Sequence, residues 1–277
     1  MAWLDHLPIW IIGLTLAASL VIAHELGFWL GRNLGDGRLE VVGSTVGAAL
    51  ALLGLLTAFT FGAAQERFDV RQKLVVQEAN AISVAYLRAQ LIQEPWRTTL
   101  SQELLRYARL RAQFPGPDAK LGRRSAIQRE SSSRQGVIWR EVQAGVRTNP
   151  TPSVNAPLVQ SMNEMFELNA SRVAARDNRV PVGVLRILVL FALVAALLMG
   201  LAAHADLRYR LVSTVVLILL TLAFGVILDL DRPDSGSILV DQSAMKAAVA
   251  EIESEAGAPS QPPANAASGV RVAPASG

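Results

Sequence analysis

VVGSTVGAALALLGLLTAFTFGAAQ, residues 41–65, runs without a break into ERFDVRQKLVVQEANAISVAYLRAQ, residues 66–90. The first half is apolar or small from Val46 to Ala64 apart from Thr57 and Thr60, and the second carries charges at helical intervals. No proline lies between Pro8 and Pro95. Isolated glycines cost a helix only about 1 kcal/mol each relative to alanine. The stretch therefore reads as one helix of some 50 residues, roughly 75–80 Å long at 1.5 Å per residue. About 20 apolar residues match the hydrocarbon thickness of a bilayer, so the first half spans a membrane and the second projects into water. Such a helix welds a membrane part to a soluble part, and motion of one is felt by the other.

Composition agrees with a membrane chain. Of the 277 residues 51% are hydrophobic, and the excess sits in a few long runs. Cysteine is absent, which excludes disulfides and thiolate metal sites. The net charge of +3 hides an asymmetry: residues 65–180 hold 18 Lys/Arg against 11 Asp/Glu, and the remainder 8 against 12. A basic segment beside a membrane fits the positive-inside bias or attraction to anionic lipid. No basic run alternates with aromatics, so the expected partner is the lipid bilayer and not nucleic acid.

The first span is expected at 9–30, with Trp3 and Trp10 at one end and Trp29 at the other, where aromatic belts belong. Residues 1–8 lack Lys and Arg and the apolar run is long, which argues against a cleaved signal peptide. His24 and Glu25 do not form a zinc motif, because HELGF lacks the second histidine. His24 is expected near the headgroups, in water; Glu25 either shares that setting or faces a neighbouring helix or pore. Small residues recur every four positions in three series: Gly27 and Gly31; Gly43, Gly47 and Ala51; Gly54, Ala58 and Gly62. That spacing lets helix backbones approach closely in lipid, in a tight bundle or an oligomer.

Residues 65–180 read as helices. Phe68, Val75, Ala79, Ile82 and Tyr86 share one side of the long helix. Pro95 is expected in the first turn of the next helix, with Leu100, Leu104, Tyr107 and Ala108 facing inward. A polar helix follows over about 119–146, then one over 154–179 with the stripe Leu158, Met162, Met165, Asn169 and Val173. These positions are core. No glycine-rich phosphate loop, metal-ligand spacing or base–nucleophile pairing accompanies them, and His6, His24 and His204 are scattered. No enzyme, cofactor or metal site is expected. Glu78 stands in an apolar stripe, with Leu74 and Val75 before it and Ala81 and Ile82 after it, and no base at helical spacing. Such a carboxylate must be paired or sit at the stripe's edge. Arg172 is the expected partner of a buried ion pair, with Arg106 in reserve.

The third and fourth spans are expected at 182–203 and 211–228, with Arg186 snorkelling to the headgroups. The organisation is then a membrane hairpin (1–64), a helical domain (65–180), a second hairpin (181–230) and a tail (231–277) that is disordered after about 256. Four spans place both termini and 65–180 on one side. That side carries Arg67, Arg71, Lys73, Arg172, Arg176 and Arg179, whereas the opposite loops carry Arg32, Arg38, Arg208 and Arg210. The bias puts the helical domain in the cytoplasm of a multi-pass cell-membrane protein.

LLGLLTAFTFGAAQERFDVRQKLVVQEANAISVAYLRAQ, MNEMFELNASRVAARDNRVP and LDLDRPDSGSI together resemble the bacterial bestrophin-like domain family over residues 20–245. The resemblance implies an all-α membrane fold with four spans and a cytoplasmic helical insertion between the second and third. It also implies a distant relation to bestrophins, which are pentameric ion channels. In those channels the second membrane helix lines the pore and narrows at apolar side chains four residues apart, and an acidic segment after the fourth helix takes part in calcium control. Here the apolar series is either Leu55, Phe59 and Ala63 or Leu52, Leu56 and Thr60. Asp229, Asp231 and Asp234 match the acidic segment, but a calcium ion wants six to eight oxygens. The preferred reading is that these aspartates balance the basic helices.

The expected function is a homo-oligomeric channel for inorganic ions, with its apolar constriction among Leu52, Leu55, Phe59 and Ala63. The alternative is a non-conducting scaffold that docks partners or lipid through the basic bundle.

Overall fold

The structure, a computed structural model, describes residues 8–32, 39–113, 121–203, 207–232 and 237–257. These form α1 (Ile9–Arg32), α2 (Leu39–Ala89), α3 (Trp96–Ala112), α4 (Leu121–Thr148), α5 (Pro152–Asp177), α6 (Val182–Ala202), α7 (Leu207–Asp231) and α8 (Ser243–Gly257), with no strand among the described residues. Four segments are long and apolar enough to cross a membrane: Ile9–Arg32, Gly43–Ala89, Pro152–Ala202 and Tyr209–Asp231. In the third, the apolar part is α6; the chain leaves helical geometry between Asp177 and Val182, where Pro181 withholds a backbone donor.

The unbroken helix α2 has 51 residues and is about 76 Å long. Among the described residues it is the one element shared by both hydrophobic cores. In the first core Leu20 of α1, Leu53 and Ala64 of α2, Ala192 and Ala196 of α6 and Phe224 of α7 pack together. In the second, Val75 and Ile82 of α2 meet Leu104 of α3, Ile138 of α4, Met162 of α5 and Ile252 of α8. Thr57 and Thr60 donate to the Leu53 and Leu56 carbonyls of their own helix at 2.7 and 2.8 Å, so neither hydroxyl needs water.

The tightest contact joins α1 to α6. A Cβ on Gly27 would stand 2.0 Å from the Leu197 carbonyl oxygen, and one on Gly200 would stand 1.9 Å from the His24 carbonyl oxygen. The two backbones touch, and only glycine fits at either place. Gly31 is buried on the same helix. Gly43, Gly47, Gly54 and Gly62 behave differently: a Cβ at any of them meets nothing within 4 Å. Among the described residues of the chain they pack against no other helix.

Three expectations are corrected. Pro95 occupies the cap position before α3 instead of its first turn. Helix α8 was not expected; Met245, Ala248 and Ile252 bury one face of it against the second core. His24 does not meet water, being only 3% exposed, because α6 lies directly over it at Gly200. His6, His204, Asp234 and the tail from 258 onward lie outside the described residues.

Candidate functional site

Within the first core α2 buries a single stripe, Leu53, Thr60 and Ala64. The opposite side of its apolar half faces away from the protomer. Leu52, Leu55 and Phe59 are exposed, Phe59 by 67%, and Ala63 is half-buried at the edge. Of the two apolar series open from sequence, Leu52, Leu56 and Thr60 is split, since Thr60 is buried and Leu56 partly so. Gly43, Gly47, Gly54 and Gly62 are likewise exposed, Gly62 about 60° around the helix from Phe59 and the other three about 120–160° from it, on the far flank of the uncovered side. No charge interrupts this surface between Val41 and Gln65.

Charge returns at Glu66, and its distribution is sided. At 100° per residue Glu66 falls within about 20° of Phe59 on the helix, two turns further along. Its side chain is exposed, and among the described residues no cation pairs with it. Asp69 stands beside it, exposed and accepting from Gln65 Nε2 at 3.0 Å. Arg67 folds back to donate to the Ala63 carbonyl at 2.7 Å. Glu66, Arg67 and Val70 line a cavity of about 240 Å³ with Ala175 of α5 and Asn178 just after it.

Arg71 is buried and clamps the junction of the two cores. Its Nη1 donates to the Leu230 carbonyl at 2.9 Å, its Nη2 to the Asn178 and Asp231 carbonyls at 3.2 and 3.4 Å, and its Nε to the Ala175 carbonyl at 3.3 Å. A guanidinium is thus held against the carbonyl ends of α5 and α7, where helix dipoles favour positive charge. Asp231 accepts from the Val180 amide at 2.7 Å. Asp229 accepts from the Ser237 and Ile238 amides at 2.7 and 3.2 Å and from the Ser237 hydroxyl. Backbone amides thus bond both carboxylates, and Arg71, Arg179 and Arg67 act on the charge of Asp231. Among the described residues no three His, Asp or Glu side chains converge as metal ligands.

In the second core Glu78 is fully buried between two arginines. Arg111 grips it with two bonds, Nε to Oε1 at 2.6 Å and Nη2 to Oε2 at 3.0 Å, and Arg172 Nη1 reaches Oε2 at 2.6 Å. Arg172 Nη2 also donates to Gln242 Oε1 at 2.7 Å, which ties the segment before α8 into the cluster. The Tyr107 hydroxyl accepts from Gln135 Nε2 at 3.2 Å. Burial, and next the Glu78 charge, push its pKa upward. The structure thus brings Glu78 and Arg172 together; Arg106 pairs with Glu103. Arg111 was missed from sequence, although it extends the α3 stripe Leu104, Tyr107 and Ala108 by the regular three or four residues. At the opposite end of the molecule Arg210 Nη2 lies 2.8 Å from both Glu25 oxygens, with its guanidinium 5.0 Å from the Phe28 ring centroid.

A family model described as a bestrophin-like domain matches residues 12–245. The chain belongs to the bestrophin-like family. Solved structures similar to this bestrophin-like chain include a bacterial bestrophin homologue from Klebsiella pneumoniae in two mutant forms. One is 17% identical with a TM-score of 0.61, covering 89% of this chain and 96% of that one. The other is 13% identical with a TM-score of 0.64, covering 90% and 99%. A structure described only as a membrane protein is 14% identical, with a TM-score of 0.64 over 90% and 99%. No curated protein matches in sequence. At these identities the likeness establishes the bestrophin fold and leaves function to the residues.

Proposed function

We propose that the chain assembles with copies of itself into an ion pore of the cell membrane, with α2 around the axis. One observation carries this: the uncharged face of α2 bearing Leu52, Leu55 and Phe59 is left uncovered by the protomer's own helices. A lone membrane helix in lipid would tolerate such a face. The exposed series Gly43, Gly47, Gly54 and Gly62 on its flank, with nothing within 4 Å, is what close helix neighbours require. Second copies of this chain supply such neighbours. Around an axis, Phe59 and Leu55 from each subunit then form a narrow apolar throat that closes by dewetting.

The basic excess of residues 65–180 supports placing α3, α4, α5 and α8, with both termini, in the cytoplasm. Bestrophins are pentameric channels, and the same number of subunits is the natural expectation for this fold. Protein reconstituted into liposomes should pass ions, Phe59→Ala should raise the flux by widening the throat, and particles in detergent should be rings by electron microscopy. Monomeric particles, or rings that pass no ions with or without that substitution, leave the scaffold reading in its place.

A further inference from the structure

The ion pair of Arg210 and Glu25 closes one end of an apolar groove between α1 and α7. On α1 Ala17, Val21 and Glu25 follow one another at four-residue steps, and on α7, which runs the other way, Arg210, Thr214, Ile218 and Leu222 do the same. Ala17, Val21, Thr214, Ile218 and Leu222 line a groove of about 190 Å³. Thr214 and Thr221 donate to carbonyls of their own helix at 2.9 and 2.8 Å, so neither hydroxyl needs a partner inside it. Helix α1 touches α6 and α7 but, among the described residues, not α2. The groove thus sits apart from the bare face of α2 and opens to the acyl chains of the bilayer.

The pair itself stands at headgroup level, which the exposed Trp29 and Tyr209 mark at this end of the spans. Arg210 spends one nitrogen, Nη2, on both Glu25 oxygens, and the Phe28 ring supports the guanidinium from one side. The two side chains keep 42% and 44% of their surface exposed, and among the described residues no acceptor takes the other Arg210 N–H groups. A cation and an anion side by side, each with bonding capacity to spare, complement a headgroup that carries one charge of each sign.

We infer that this is a binding site for one phospholipid with a primary-amine headgroup, phosphatidylethanolamine by class. Its acyl chain lies along the groove, its phosphate accepts from the unused N–H groups of Arg210, and its ammonium donates to Glu25. A choline headgroup has no N–H to give Glu25, and a glycerol headgroup leaves that carboxylate without a counter-charge. The site belongs to one protomer and holds whether or not α2 lines a pore.

Lipid retention by the full-length protein in detergent, read by native mass spectrometry with palmitoyl-oleoyl phosphatidylethanolamine, phosphatidylcholine and phosphatidylglycerol, tests this. The ethanolamine lipid should bind on the order of tenfold tighter than the choline lipid, the worth of one hydrogen bond between charged groups. Glu25→Gln should bring that ratio close to unity. Val21→Trp, which fills the groove from an exposed position, should weaken all three lipids, and phosphoethanolamine without chains should not compete. Equal binding of the ethanolamine and choline lipids by the wild type, or a preference that survives Glu25→Gln, overturns the inference. Tightest binding of the glycerol lipid overturns it in favour of a plain basic site at Arg210, and retention unmoved by Val21→Trp removes the groove from it. Particle shape and ion flux do not enter these readouts, so the lipid site and the pore stand or fall separately.

Discussion

Arg111 and Glu78 meet through two hydrogen bonds of 2.6 and 3.0 Å, and neither side chain has any exposed surface. Removing one member of such a pair strands the other charge in the core, which costs about 3–5 kcal/mol. Glu78→Ala is the harsher case, since it leaves two arginines, Arg111 and Arg172, facing each other. Thermal unfolding in detergent should show a large loss for Glu78→Ala and for Arg111→Ala. The combined replacement Glu78→Leu, Arg111→Met and Arg172→Met should be milder than either single change. Equal losses for the triple and single variants would contradict the stranded-charge account.

The glycines of the membrane helices should divide into two classes. Gly200→Val pushes a side chain into the His24 carbonyl and must part α1 from α6, costing about 3 kcal/mol or more. Gly47→Val and Gly54→Val enter open space in the protomer and should leave the unfolding of the isolated chain unchanged. In the proposed assembly they should instead break the ring, visible as a shift to smaller particles by light scattering.

Among the described residues Arg71 donates to four carbonyls, on α5, α7 and the turn after α5. A lysine keeps the charge but lacks the planar fork that reaches them all. Arg71→Lys should lose about 2–3 kcal/mol of stability, from the range for hydrogen bonds to charged groups. Little difference between lysine and wild type in denaturant unfolding would mean that charge alone holds the junction.

Asp229 already accepts from two amides and a hydroxyl. Calcium would have to displace those donors, so its addition should leave the melting midpoint unchanged. Asp229→Ala should free the turn at Ser237 and expose the segment before α8 to limited proteolysis. A calcium-dependent rise in the midpoint that Asp229→Ala abolishes would make this carboxylate a metal ligand.

The spans and the long α2 were legible because each rests on a local signal: an apolar run of membrane length, or the lack of a breaker between Pro8 and Pro95. Glu78 was legible as a problem, a carboxylate in an apolar stripe, and Arg172 could be named because it lies on the striped face of α5. Arg111 was not, because an arginine at the end of an amphipathic helix reads as a favourable dipole partner. Only the packing of α3 against α2 turns it inward. Helix α8 was missed for a similar reason. Its buried face is one methionine, one isoleucine and one alanine, too little apolar surface to announce a core element. The outward face of α2 was in plain view, yet periodicity alone did not say which side the protomer leaves bare.

The Glu78 cluster also constrains how the protein can be made. Its carboxylate leaves the ribosome 33 residues before Arg111 and 94 before Arg172, and Arg172 waits a further 70 residues for Gln242. Two membrane segments, α6 and α7, are synthesised within that last interval. The second core therefore cannot close until the final span has been handed to the bilayer. A nascent chain stalled before residue 242 would lack the Gln242 acceptor of Arg172 and keep an open apolar seam beside the membrane, a form that quality-control proteases can tell from the finished protein.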